Sequence, residues 1–111
     1  LHLGLIEAFT GTYEIFTKFT YSDPQTRDHA MTFSFSGDDD VFVYINRKLV
    51  VDIGGVHSEV HQSVNVDDLA ESLGLEPGGT YDFHFFFAER HLTESNFTIE
   101  TSIQFLSPLY D

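Results

Sequence analysis

The feature that most constrains this chain is a two-residue alternation of apolar and polar side chains. Residues 96–105 carry it most cleanly, with Phe97, Ile99, Thr101, Ile103 and Phe105 on one side and Thr98, Glu100, Ser102 and Gln104 on the other. Successive side chains of a strand point to opposite faces, so this spacing predicts a half-buried strand rather than a helix. Residues 12–21 repeat it, setting Tyr13, Ile15, Thr17, Phe19 and Tyr21 against Glu14, Phe16, Lys18 and Thr20. Residues 81–88 set Tyr81, Phe83, Phe85 and Phe87 against Asp82, His84, Phe86 and Ala88, and residues 31–36 put Met31, Phe33 and Phe35 on one face. Apolar runs at 41–45 and 48–53 flank Asn46-Arg47, which predicts a tight turn and antiparallel pairing. Another strand is expected at 60–66. One helix is expected at about 67–73, capped by Asn65 or Asp67 and stopped by Gly74. Pro77-Gly78-Gly79 then makes a turn. Seven or so strands with short connections predict an all-β fold, a sandwich or a barrel.

A chain of 111 residues predicts one domain. With 5 Lys+Arg against 18 Asp+Glu, its formal charge is -13. That argues against nucleic acid, whose phosphates need clustered basic residues, and against an anionic membrane surface. It suits a cationic partner, or solubility at high ionic strength. The 12 Phe and 5 Tyr exclude a disordered chain. No apolar run approaches the ~20 residues of a membrane helix. The lack of cysteine excludes disulfides, a thiolate nucleophile and a Cys-based zinc site. The chain opens at Leu1 without a signal peptide, so a processed product or an excised domain is expected.

The sharpest local motif is Gly37-Asp38-Asp39-Asp40, between two expected strands. Asp is depleted in strands, and three adjacent carboxylates repel one another. A turn holds one Asp through a bond to its own backbone, but three are harder to place that way. A hard divalent cation would relieve the repulsion, and Ca²⁺ takes oxygen ligands of this kind. The competing reading is an acidic turn on an acidic protein. The EF-hand alternation is missing, so a metal loop here needs a distant segment to complete it.

Residues 33–46, Phe-Ser-Phe-Ser-Gly-Asp-Asp-Asp-Val-Phe-Val-Tyr-Ile-Asn, closely resemble the fibro-slime domain. So do residues 48–57, Lys-Leu-Val-Val-Asp-Ile-Gly-Gly-Val-His, and residues 86–91 with 95–100. That group is similar to the β-sandwich carbohydrate-binding domain named after anthrax protective antigen, which is also found in yeast flocculins and bacterial surface adhesins. The resemblance runs from about Phe9 to Phe105. It implies an antiparallel, jelly-roll-like β-sandwich with one short helix, extracellular or at the cell surface, within a larger multidomain protein. The family usually has more chain upstream of the strand holding Phe16 and Phe19, so the first strands are expected to be trimmed or reduced.

The resemblance also implies a site. Adjacent aspartates joined by a cis peptide, Asp38 and Asp39 here, clasp a Ca²⁺ ion. Glu89 stands where relatives carry an amide side chain, and the carbonyls of His91 and Thr93 are further ligands. A glycan then binds through the metal by two adjacent hydroxyls. Asp40, Arg90, His91, Glu94 and Asn96 would line the rim and choose the stereochemistry.

Several other features have plain explanations. His57 and His61 are four apart, but on a strand that spacing separates them by roughly 13 Å, too far for one metal. His84 alternates with aromatic residues and is expected to face outward or satisfy an inner hydrogen bond. Arg90 stands among acids, where a salt bridge to Asp38 or Glu94 competes with a role toward sugar. Asn96-Phe97-Thr98 is a formal N-glycosylation sequon. The many rings could be read as a stacking platform for sugars, but most alternate with polar residues and read as core. Phe42 and Phe86 share a face with neither clear apolar set, and one of them could pack beneath an extra sheet. Carboxylate pairs also serve glycoside hydrolysis, but groups clasping a metal stay ionised and donate no proton. No nucleophile elbow, phosphate loop or H-E-x-x-H occurs. The expectation is a non-enzymatic, Ca²⁺-dependent lectin-like module. The alternative is a spacer or protein-interaction module that Ca²⁺ only rigidifies.

Overall fold

The structure is a computed structural model that describes residues 2–6, 11–54, 60–89 and 95–106, with side chains except at 2–6, 11–13, 89 and 95–97. Its strands are β1 (His2–Ile6), β2 (Gly11–Thr20), β3 (Thr32–Gly37), β4 (Asp40–Ile45), β5 (Lys48–Ile53), β6 (Val60–Asn65), β7 (Thr80–Glu89) and β8 (Ser95–Thr101). One helix, α1, covers Val66–Leu73. Two four-stranded antiparallel sheets form, ordered β1-β8-β3-β6 and β2-β7-β4-β5. The fold is an all-β sandwich, as the alternation and the resemblance imply.

The alternation sorts side chains between core and surface. Phe33, Phe35, Val64 and Ile99 of one sheet are buried against Phe19, Val41, Val43, Ile45, Val51, Phe83, Phe85 and Phe87 of the other. Ring contacts tie the layers together, with Phe33 centred 5.5 Å from Phe83 and 6.2 Å from Phe85. Such tilted pairs add to the area they bury.

Local signals set the ends of the elements. Asn46 and Arg47 both take positive φ, 51° and 66°, which gives the β4–β5 turn the twist a two-residue hairpin needs. Asn65 caps α1 by accepting the Asp68 N–H at 3.3 Å, and Gly74 closes it in the left-handed region at φ +74°. Asp67, one of the two expected caps, does not act as one. Its carboxylate turns back to Arg27, at 2.7 Å.

Two elements differ from expectation. The last strand ends at Thr101 rather than continuing to Phe105. There Thr101 Oγ1 donates to the Thr32 carbonyl (2.6 Å) and Ser102 Oγ to the Ala30 carbonyl (3.0 Å), beside a last backbone bond from the Ser102 N–H to the Thr32 carbonyl (3.2 Å). The chain then leaves that sheet, and Phe105 bridges to Phe19 of the other. Strand β1 was not marked by the alternation, because Gly4 interrupts a run of five. Its backbone nevertheless pairs with β8, His2 opposite Glu100 and Ile6 opposite Ser95.

Candidate functional site

The registers place four sheet-to-sheet crossings at one end of the sandwich. Gly37 of β3 lies opposite both Val60 of β6 and Phe97 of β8. In the other sheet Asp40 lies opposite Ala88, Val41 opposite Ile53, and Gly11 opposite Glu89. The connections β1–β2, β3–β4, β5–β6 and β7–β8 therefore share this pole. The β3–β4 crossing is the shortest, because only Asp38 and Asp39 separate the two strands.

At this crossing Asp39 turns inward. Asp39 is 0% exposed, while Asp38 and Asp40 are half-buried. One oxygen, Oδ1, of each of the three carboxylates is shielded from solvent. Neighbouring carboxylates in a poorly hydrated corner repel by on the order of a few kcal/mol at the effective dielectric of a protein. The corner thus sets three consecutive acidic side chains on a chain of net charge -13.

The corner lies within the span of the β7–β8 connection. Asp40 pairs with Ala88 just before that connection, and Gly37 pairs with Phe97 just after it. Asp38, Asp39 and Asp40 follow one another at this corner without converging on one point, and the backbones of Glu89 and Asn96 lie beside them. The side chains of Glu89 and Asn96, and residues Arg90, His91, Thr93 and Glu94, lie outside the described residues. So does His57. His61 sits on β6, with Nδ1 2.7 Å from Ser36 Oγ on the outer face of its sheet.

Two findings bear on the expected site. The described residues contain no cis peptide bond, so the Asp38–Asp39 link is trans, not cis as the resemblance implies. Among the described residues, no three His, Asp or Glu side chains are gathered closely enough to hold a metal ion. The three aspartates do not form such a set by themselves.

Sequence reasoning passed over a second feature. The outer face of β2-β7-β4 carries a cleft of about 670 Å³, lined by Phe16, Phe42, Tyr44 and Phe86 with polar groups between them. No further element covers Phe42 and Phe86 among the described residues. The available signal was the double alternation of β7 and β4, which place aromatic residues on both faces.

Residues 25–108 match the PA14 domain. Among similar proteins of Dictyostelium discoideum, Protein psiH is 52% identical over 86% of this chain and Protein psiR is 54% identical over 71% of it. The matched segment makes up 12% of psiH and 8% of psiR, so the chain spans a small part of the curated relatives it matches. No solved structure matches it significantly. Among the described residues, no helix is long and apolar enough to cross a membrane.

Proposed function

Because the chain belongs to the PA14 domain family, a family of carbohydrate-binding and adhesin-type modules, we propose that it is a Ca²⁺-dependent carbohydrate-binding module of a secreted or cell-surface protein, of the fibro-slime type. One observation carries this reading: a two-residue crossing buries Asp39 and sets three shielded carboxylate oxygens beside both ends of the β7–β8 connection. The donors there are hard oxygens, the type Ca²⁺ prefers.

Asp38 and Asp39 would hold the ion, joined by the Glu89 carboxylate and the main-chain carbonyls of His91 and Thr93. Donors from the β7–β8 connection are needed, because the described carboxylates do not complete a site alone. When bound, Ca²⁺ supplies Lewis-acidic positions for two vicinal sugar hydroxyls. Asp40, Arg90, Glu94 and Asn96 form the surrounding rim and discriminate stereochemistry by hydrogen bonds. A single such site is weak, with Kd about 0.1–1 mM or above, and adhesion arises from many copies acting together.

Full burial of Asp39 also favours a second reading, in which the ion only rigidifies the pole of a spacer or protein-interaction module. Melting temperature in Ca²⁺ and in EDTA, followed by a glycan array under the same two conditions, separates these. The lectin reading expects Ca²⁺ to raise the melting temperature and EDTA to abolish glycan signals. A Ca²⁺-stabilised domain that stays silent on the array supports the spacer. Indifference to Ca²⁺ overturns both.

A further inference from the structure

We propose that the outer face of β2-β7-β4 is a second, metal-independent site, which grips a neutral pyranose ring between its aromatic side chains. The registers build it as two rows across three strands. Glu14, Phe86 and Phe42 make one row, and Phe16, His84 and Tyr44 make the next. The six side chains alternate with core residues, so the pleat turns them all outward together.

The rings stand at steep angles to one another. Phe42 and Phe86 are inclined by 59° with centroids 6.4 Å apart, His84 and Phe86 by 80° at 6.3 Å, and Phe16 and His84 by 64° at 5.4 Å. They therefore wall a cleft rather than tile a plane. Its volume of about 670 Å³ falls in the range of small-molecule sites. Phe16 is 59% exposed, a large apolar surface left in water.

Charge decides which small molecule fits. The lining holds Glu14 and Asp82 against Arg47, with His84 bonded to Glu14 at 2.9 Å. Asp82 is also engaged by Lys18 and, at 3.3 Å, by Arg47. On a chain of net charge -13, this patch is nearly balanced. An anion would meet Glu14 and Asp82, and a cation would find Glu14 bonded to His84 and Asp82 engaged by Lys18 and Arg47. A neutral pyranose presents apolar C–H faces to the rings and hydroxyls to Glu14, His84 and Tyr44. Among the described side chains, the outer face of β8-β3-β6 is mostly short and polar, with Thr32, Ser34, Ser36, Ser63 and Thr98 beside a single ring, His61.

Nuclear magnetic resonance titration of the 111-residue chain in EDTA tests the proposal. The probes are the methyl glycosides of β-glucose, β-galactose and α-mannose, with choline and glucuronate as charged comparisons. At least one glycoside is expected to shift the ring resonances of Phe16, Tyr44, His84 and Phe86 saturably. Phe42→Ala and Phe86→Ala should each weaken that binding about tenfold or more. Asp39→Asn, a fully buried residue three positions before Phe42 and outside the cleft lining, should leave it unchanged, which separates this site from the Ca²⁺ reading. Gly54→Ala keeps every ring but brings a methyl group to 3.2 Å from Phe42 Cζ, so it should weaken binding without removing an aromatic group. The proposal is overturned if no glycoside shifts these rings up to about 50 mM, weaker than the sites it describes. It also fails if choline or glucuronate shifts them more strongly, or if they move with protein concentration alone, the mark of a self-association face.

Discussion

Arg27 grips Asp67 with both arms of its guanidinium, Nη2 to Oδ1 at 2.7 Å and Nη1 to Oδ2 at 2.9 Å. The same carboxylate accepts the Tyr21 hydroxyl at 2.8 Å and the Met31 N–H at 3.1 Å. Arg27 also donates to Ser22 Oγ (2.8 Å) and to the Ser22 and His29 carbonyls (3.0 and 3.1 Å). One paired charge thus ties the β2–β3 connection to the first turn of α1, at the pole opposite the aspartates. Fork-to-fork geometry makes such pairs stronger than ordinary surface bridges.

Acid should loosen this clamp. The Arg27 guanidinium holds the Asp67 carboxyl at about 2, below its ordinary 3.8. A carboxyl with a lower pKa when folded contributes stability above its unfolded value and loses it as pH falls through the folded one. Melting temperature should therefore drop between about pH 4 and pH 2. Asp67→Asn should cost about 2 kcal/mol at neutral pH and flatten the melting-temperature profile in that acid window. A variant that keeps the full acid slope would assign the slope to other carboxyls.

The β4–β5 turn leaves room for stabilisation. Arg47 sits at φ 66°, where glycine is at ease and a side chain is not. Its contact to Asp82 is long, at 3.3 Å, and its side chain is 87% exposed, so little is lost with it. Arg47→Gly should gain roughly 0.5 kcal/mol, read as a higher denaturation midpoint with an unchanged slope.

Two phenylalanines should behave oppositely. Phe35 is 0% exposed and Phe16 is 59% exposed. Phe35→Ala should cost about 3–5 kcal/mol, a large share of what a domain of this size has. Phe16→Ala should change stability by less than about 0.5 kcal/mol. Chemical denaturation of both variants checks the pair, and similar losses would mean that Phe16 is covered.

At the aspartate pole, Asp39→Asn should abolish the rise in melting temperature that Ca²⁺ produces, whatever it does to the metal-free protein. Asp23→Asn, on a carboxylate that caps the short 3₁₀ turn Pro24–Thr26, should leave the rise intact. Differential scanning fluorimetry with and without EDTA distinguishes the two. An unchanged Ca²⁺ response in Asp39→Asn would remove that residue from the ligand set.

Much of the fold was legible because one face of nearly every strand is buried. Phe33, Phe35, Phe83, Phe85 and Phe87 could alternate only one way. Strand β1 was not legible, since its partner β8 lies over ninety residues away and Gly4 hides the period. The cap of α1 was left open between Asn65 and Asp67, and it was settled by Arg27, a residue some forty positions upstream. At the site, the grouping of Asp38, Asp39 and Asp40 was plain from the chain. Their nearness to Glu89 and Asn96 was implied only by the family resemblance, because physically it comes from register across two sheets. The outward cleft was hidden for a related reason. Phe42 and Phe86 read as misfits one at a time and become a pattern only when β4 and β7 are laid side by side.

Both described extremities of the chain lie toward the end away from the aspartates. His2 stands level with Glu100 near the finish of β8, and Leu106 bonds to the Lys18 carbonyl near the finish of β2. The acidic corner and the two described ends of the polypeptide therefore occupy opposite tips of the sandwich, so neither described end crowds the carboxylates.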